Sequence, residues 1–536
     1  MKNVYFIGVD VGTGSARAGV FDQLGKCLGK GRKDISIYED VKNNIVEQSA
    51  EDIWISVCFA IQLAVKQSNI NKKDIIGIGF DATCSLVVVG KNGGSLPVGV
   101  NGDLNRNIIV WMDHRATEQA DRINSTKHKV LSYVGGIISP EMETPKLLWL
   151  KENNPDTYYA AEYFFDLTDY LTWRATEDLA RSICTLSCKW TYLAHEQKWD
   201  KSYFHEIGLG DLAEENFKRI GQVVLEPGVS LGKGLTHKAA KDFGIKPGTS
   251  VGVGLIDAHA GGIGTIGSIS KNGSPENRMA YVFGTSACTM SSSSEPIFVP
   301  GVWGPYYSAM VPGLWLTEGG QSAAGSAITQ LLAYHPSSAS ASLLATAASQ
   351  SLPDWLVSQV IALCETDSEA INIAGKVIIV PEFIGNRSPL ADPDTRAIIS
   401  GLSFENNLNS LLSFYIAGIT GLGYGLRQII DAQEAHGIKT NTIVISGGAG
   451  QSSLVRQLLA DSTGVSVASP SSDEPILLGS AMLGAVSSGF YSSINESMQK
   501  MSQLGEVLIP AVGDLEVLHQ QRYAKFKLLQ SASRDS

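Results

Sequence analysis

Asp10 lies between an apolar run and a loop of small residues, Gly12-Thr13-Gly14-Ser15, and the chain resumes as a second apolar run over Ala18 to Phe21. The glycines open backbone angles closed to other residues, so successive amides can turn inward around an anion while the Thr13 and Ser15 hydroxyls donate. A carboxylate at the end of the first strand would then face a magnesium ion carried by phosphates. No Gly-Lys-Ser/Thr follows, which excludes a Walker loop, and Gly12-x-Gly14 lacks a third glycine and runs into a strand, unlike a dinucleotide fingerprint. A plain tight hairpin is the competing reading of this segment alone.

The theme returns twice. Tyr281-Val-Phe-Gly-Thr-Ser-Ala-Cys288 again carries an apolar strand into Gly-Thr-Ser, which predicts one phosphate loop in each half of a duplicated architecture. Ile443-Val-Ile-Ser-Gly-Gly-Ala-Gly-Gln-Ser-Ser-Leu454 gives strand, glycine turn and helix, a nucleotide-sized seat or an ordinary strand-to-helix turn. A lone carboxylate, Asp257, stands between the strand-like Ser250 to Leu255 and a Gly/Ala-rich stretch ending at Gly262.

The elements that must hold these groups follow an α/β plan. Strand-like runs are expected at Val4 to Val9, Ile75 to Phe80, Ser250 to Leu255, Arg278 to Phe283, Lys376 to Val380 and Thr442 to Ser446. Ser49, with Asp52 three residues on, caps a helix through about Lys66 whose Ile53, Val57, Ile61 and Ala64 share a face. The polar stretch Gly267 to Asn277 is the expected domain junction, and the Ser/Ala-rich Ser337 to Gln350 reads as a surface helix or insertion.

A chain of 536 residues is too long for one core, and 44% hydrophobic against 18% charged residues describes an ordered α/β protein. Its net charge of −11, without a Lys/Arg cluster, argues against a nucleic-acid or anionic-membrane surface, so phosphate binding must be local. The amino terminus reaches Asp10 too soon for a signal-peptide core and no run has membrane-spanning length, so the expected setting is cytoplasmic. Seven scattered cysteines fit reduced thiols; Cys184 and Cys188 form a C-x-x-x-C pair without a second pair, so buried apolar thiols are preferred over zinc.

Two phosphate loops with a terminal strand-Gly-Gly-helix resemble the plan of the sugar kinase/Hsp70/actin superfamily. Within it, Gly252-Val-Gly-Leu-Ile-Asp-Ala-His-Ala-Gly-Gly262 resembles the catalytic-base segment of the FGGY carbohydrate kinases. Phe283-Gly-Thr-Ser-Ala287, the Pro381 to Pro393 segment, Ser446-Gly-Gly-Ala-Gly-Gln-Ser-Ser453 and the glycine-spaced Leu411 to Asp431 agree in order, from about Val4 to Gly489. At Asp81-Ala-Thr-Cys-Ser-Leu-Val-Val88 the chain departs from xylulokinases and glycerol kinases and is similar to the D-ribulose kinases of the family. Ile109 to Arg115, Pro145 to Asn153 and Cys188-Lys-Trp-Thr-Tyr192 resemble the same subgroup.

The resemblance implies two actin-like, ribonuclease H-like domains with a catalytic cleft between them: 1–267 for sugar, first phosphate loop and base, 278–490 for nucleotide, and a carboxyl-terminal extension, 491–536, packed on the second domain. It implies ATP and Mg2+ as cofactors, a small-molecule sugar as substrate, and leaves oligomeric state open, a homodimer being one arrangement. Asp257 is the expected catalytic base. Asp10 and Asp257 are the carboxylates assigned to the metal; Thr13, Gly14, Ser15 and Arg17 meet the phosphates from one side and Gly284 and Thr285 from the other. Gly325, Gly447, Gly448 and Ser452 belong to the nucleotide seat. Thr83, Cys84, Ser85, Asp113 and Glu141 are assigned to the sugar, with His114 and Arg115 read as solvent-facing neighbours and His259 as a shaper of the base's surroundings or a structural histidine.

D-ribulose is the first choice of substrate. A kinase for L-ribulose, D-xylulose, ribitol or glycerol is the nearest rival; an actin-like or chaperone-like ATPase and a catalytically dead sensor are more distant ones.

Overall fold

The computed structural model describes residues 3–266 and 275–534. The expected junction at 267–277 therefore lies largely outside the described residues. In the first half, β1 (Tyr5–Val11), β2 (Ser15–Phe21) and β3 (Cys27–Asp34) form an antiparallel meander, packed under α1 (Ala50–Ser68). The Ser49 hydroxyl accepts from the Asp52 N–H at the start of α1, as its capping pattern predicts. β4 (Ile75–Ala82) adds parallel to β1, and beyond it the expected Ser250 strand is broken into β5 (Ser250–Val251) and β6 (Leu255–Ile256), both parallel to β4. A short helix, α2 (Ile183–Lys189), and α3 (Asp257–Ile266), which leaves β6 directly, complete the part of this lobe that matters below.

The second half repeats the design. β7 (Arg278–Phe283) pairs antiparallel with β8 (Ala287–Ser293); β9 (Trp303–Tyr307) and β10 (Trp315–Gln321) continue that edge, with β10 next to β8. α4 (Gly325–Tyr334) and the long α5 (Leu408–Ala435) intervene before β11 (Thr442–Ser446), which lies parallel to β7. α6 (Ser453–Thr463) then leads to β12 (Ser466–Pro470), parallel to β11. The spatial order β5-β4-β1-β2-β3 is thus matched by β12-β11-β7-β8-β10, with the same strand directions. The fold is two actin-like, ribonuclease H-like lobes, and the two hairpins occupy equivalent corners. The Ser/Ala-rich segment forms an exposed helix, Ser338–Ala347.

α7 (Pro475–Ser487) belongs to the second half by sequence but lies against β1, β4 and α3 of the first. A side chain at Gly8 or Gly77 would collide with its backbone at Leu477 or Gly484, so both positions require glycine for this close approach. After a last strand, β13 (Leu504–Leu508) on the edge of the second sheet, α8 (Asp514–Arg534) docks on α5. Arg522 donates to the Gly375 carbonyl at 2.7 Å, and the Tyr523 hydroxyl to Asp431 at 2.7 Å. Among the described residues no helix is long and apolar enough to cross a membrane.

Candidate active site

The parallel register of β1 and β4 sets Asp10 opposite Asp81, and β6, paired to the end of β4, delivers Asp257 as the first residue of α3. Three carboxylates therefore converge where three neighbouring strands end. Asp257 accepts from the Ala258 N–H at 2.7 Å. Burial, and then the charge of Asp10, push its carboxyl up to about 6. The Asp81 carboxyl is raised well above the usual carboxylate range by burial and by the charge of Asp10; one of its oxygens accepts from Ser480 on α7, and Oδ1 has no hydrogen-bond donor among the described residues.

A cavity of about 270 Å³ opens in front of these groups, below the ~300–1,000 Å³ of drug-sized ligand sites and scaled to a small polyol. Thr13, Thr83, Cys84, Glu141 and Asp257 line it from one lobe, Gly284 and Thr285 from the other. The 83 to 85 turn is fixed to the first hairpin: the Thr83 N–H donates to the Val11 carbonyl at 3.0 Å. Trp111 braces both, its indole N–H donating to the Thr13 hydroxyl at 3.0 Å and its backbone N–H to the Ser85 hydroxyl at 3.1 Å. Ser85 is thereby a buried support of the turn, while Thr83 and Cys84 face the cavity.

Asp113 is not a cavity residue. Its oxygens accept from the Val46 N–H at 2.6 Å, the Arg115 N–H at 3.0 Å and the Arg115 guanidinium at 2.7 Å, which leaves no open face for a sugar hydroxyl. Arg115 is buried between Asp113 and Glu47 rather than solvent-facing. His114 is half exposed and meets Glu141 at 3.3 Å. Arg17 does not reach toward the opposite hairpin: it donates to Asp10 at 2.8 Å and to Glu474, just before α7, at 3.1 Å.

The sequence reading missed Lys189, Glu318, Arg387 and two tryptophans, Trp111 and Trp303, all of which line the same cavity. Lys189 is buried, has no ion pair among the described residues, and holds its ammonium 5.4 Å above the Trp303 ring. Burial alone would raise the Glu318 carboxyl, but the hydrogen bond and charge of His259 hold it at about 2. Lys189 had a signal, because it sits inside the Cys188-Lys-Trp-Thr-Tyr192 segment. Glu318 had none beyond being a charge inside an apolar strand.

On the second lobe, the Gly325 N–H donates to the Gly284 carbonyl at 3.0 Å, so the start of α4 abuts the hairpin. Gly447 has φ of 98°, a left-handed turn close against Phe283, and Ser452 caps α6 by accepting from the Val455 N–H. Gly284, Gly325, Gly447, Gly448 and Ser452 therefore gather at the ends of β7 and β11 and the starts of α4 and α6.

Paired Gly/Thr/Ser hairpins, one in each actin-like lobe, share a cavity with the carboxylate of Asp257, an arrangement suited to an ATP-dependent phosphotransferase. Models of the FGGY carbohydrate kinases match twice, the amino-terminal domain over residues 5–264 and the carboxyl-terminal domain over 279–488. The chain belongs to the FGGY family and is an ATP-dependent carbohydrate kinase. It is 45% identical to a human FGGY carbohydrate kinase domain-containing protein, covering 98% of this chain and 96% of the relative. A D-ribulokinase of Saccharomyces cerevisiae is 38% identical, covering 93% of this chain and 74% of the yeast protein. Among solved structures, the ligand-bound xylulose kinase of Lactobacillus acidophilus superposes with a TM-score of 0.79 at 19% identity, covering 99% of both chains.

Proposed function

We propose that the protein phosphorylates the primary hydroxyl of a pentulose, D-ribulose in first place, giving D-ribulose 5-phosphate. The observation that carries this is the position of Asp257, at the floor of a polyol-sized cavity and opposite the Gly284-Thr285 hairpin. Similarity to the yeast D-ribulokinase supports the choice of sugar.

Asp257 accepts the proton of the attacking hydroxyl, a role commonly worth about 10²- to 10⁴-fold. Thr83, Cys84, Glu141, Lys189 and Glu318 hold the sugar through hydrogen bonds, which read its hydroxyl pattern better than shape alone. Thr13, Gly14 and Ser15 on one side and Gly284 and Thr285 on the other grip the phosphates, with Arg17 neutralising charge once it parts from Asp10 or Glu474. Gly325, Gly447, Gly448 and Ser452 seat the nucleoside end. In this division residues 1–267 present the acceptor and 278–490 the donor.

The carboxylates of Asp10 and Asp81, with Asp257 beside them, suit a divalent cation: their charges oppose one another, and Asp81 Oδ1 is buried with no donor among the described residues. Mg2+ bound there would neutralise the phosphate oxygens during transfer. Closure of the lobes over the cavity excludes water.

Initial rates of ADP release over D-ribulose, L-ribulose, D-xylulose, ribitol and glycerol, with Asp257→Asn as the blank, test the reading. Highest kcat/KM on D-ribulose is expected. A higher value on another polyol overturns the substrate, and sugar-independent ADP release at the same rate overturns the sugar-kinase role of the site.

A further inference from the structure

Beside the base three donors meet, one of them at the cavity wall. Cys184 and Cys188 stand one turn apart on α2, and His259 lies in the first turn of α3; all three are buried. Cys184 Sγ is 3.0 Å from His259 Nδ1, and the two sulfurs and a histidine nitrogen all lie within 4.8 Å of one another. The sequence alone shows only the cysteine pair, for which apolar packing is the better reading. Folding adds the third ligand from a segment 71 or more residues away, and with it a donor set of the kind zinc takes.

Two neighbouring contacts have the form of outer-shell support. His259 Nε2 meets the Glu318 carboxylate at 3.4 Å, which orients the ring so that Nδ1 faces Cys184. The Ile256 N–H donates to Cys184 Sγ at 3.5 Å, a contact that stabilises negative charge on sulfur. In a tetrahedral site with Zn–S of about 2.3 Å and Zn–N of about 2.0 Å, donors stand about 3.5 to 3.8 Å apart. Shifts on the order of an ångström would bring the present spacing to that arrangement.

We propose that Cys184, Cys188 and His259 form a zinc site that clamps α2 to the first turn of α3, with water in the fourth position. Binding displaces two protons to solvent, one from Cys188 and one shared between Cys184 and His259, as Zn–S bonds replace S–H; zinc changes no oxidation state, and no bond between heavy atoms of the protein forms or breaks. His259 lines the sugar cavity, which gives the ion its way in. The clamp would fix the two residues flanking it, Lys189 after Cys188 and Asp257 two positions before His259. It is separate from the carboxylates assigned to magnesium, whose oxygen ligands suit a harder ion.

The test uses the full chain, stripped by dialysis against a chelator and then titrated with Zn2+ alone against a chromophoric competitor. About one equivalent should bind with release of two protons, and Cys184→Ser or Cys188→Ser should each weaken binding by at least about 100-fold. Cys27→Ser and Cys364→Ser, thiols elsewhere in the fold, should leave it unchanged. Co2+ added alone to the unsubstituted chain should develop a thiolate-to-cobalt charge-transfer band with the intense visible bands of a tetrahedral ion, a readout that no misfolded variant can obscure. Absence of that band, or zinc binding undiminished in both cysteine variants, overturns the site. Neither result touches the sugar-kinase reading, which is scored on ADP release.

Discussion

The Trp111 indole N–H and the Thr13 hydroxyl are joined at 3.0 Å, so the Gly12 to Ser15 loop and the 83 to 85 turn share one strut. Trp111 reaches the turn through its backbone bond to Ser85. A neutral hydrogen bond of this kind contributes about 1 kcal/mol. Trp111→Phe should therefore lower kcat/KM by about fivefold, and Thr13→Val should add little to it in a double-mutant cycle. Fully additive losses from the two substitutions would show that the strut carries no coupling.

Asp257 has to be ionised to accept a proton, and burial with Asp10 nearby raises its carboxyl to about 6. Activity should hence climb as pH rises through about 6 and level off above it, with kcat/KM for the sugar falling about tenfold per pH unit well below. Asp257→Asn should lose about 10²- to 10⁴-fold in kcat, keep ATP binding by calorimetry, and lose the acidic limb of the profile. Normal turnover in that variant removes Asp257 from the chemistry.

Cys84 and Lys189 meet the cavity from different elements, and both substitutions should act on the sugar before the nucleotide. Cys84→Phe fills the cavity and should raise the sugar KM at least about tenfold with the ATP KM held. Lys189→Met removes the buried cation proposed to hydrogen-bond the sugar and should cost about 2 kcal/mol in sugar kcat/KM, near 30-fold. Steady-state kinetics with each substrate varied in turn separates these effects from a general loss of folding.

His519 on α8 is buried beside Tyr424, and burial followed by the charges of Arg522 and Arg427 lowers its imidazole to about 4. Its folded value lies below the unfolded one of about 6.5, so the unfolded chain binds the proton first as acid is added. Stability should accordingly be full above about pH 6.5 and decline by up to about 3 kcal/mol toward pH 4. Urea titrations across that range should show the decline, and His519→Phe should flatten this part of it; an unchanged slope would mean the docked helix carries no such linkage.

Much of the donor side was legible in sequence because hairpins advertise themselves locally: glycine, hydroxyl and carboxylate stand within six residues from Asp10 to Ser15. Asp257 stands out as a lone carboxylate between a strand and a Gly/Ala-rich stretch, and its assignment as the base comes from the resemblance of that segment to the FGGY kinases. The acceptor side was not legible, since a carboxylate's partners come from anywhere in the chain. Asp113 reads as a free acceptor until Val46 and Arg115 are seen to saturate it, and Asp81 gains its place from strand register with Asp10 rather than from its neighbours. Arg17 illustrates the same limit. Its partner Glu474 is hundreds of residues away, and only folding brings them into contact.

α7 has a consequence for how the protein is made. Residues 475–487 are synthesised long after Gly8 and Gly77, yet they fill the groove over both. A nascent chain leaving the ribosome must hold its first sheet without this roof until α7 has emerged. The kinase therefore cannot mature one lobe at a time: a messenger truncated before α7 would yield a chain with a bared apolar floor, fit for chaperones and proteases rather than for catalysis.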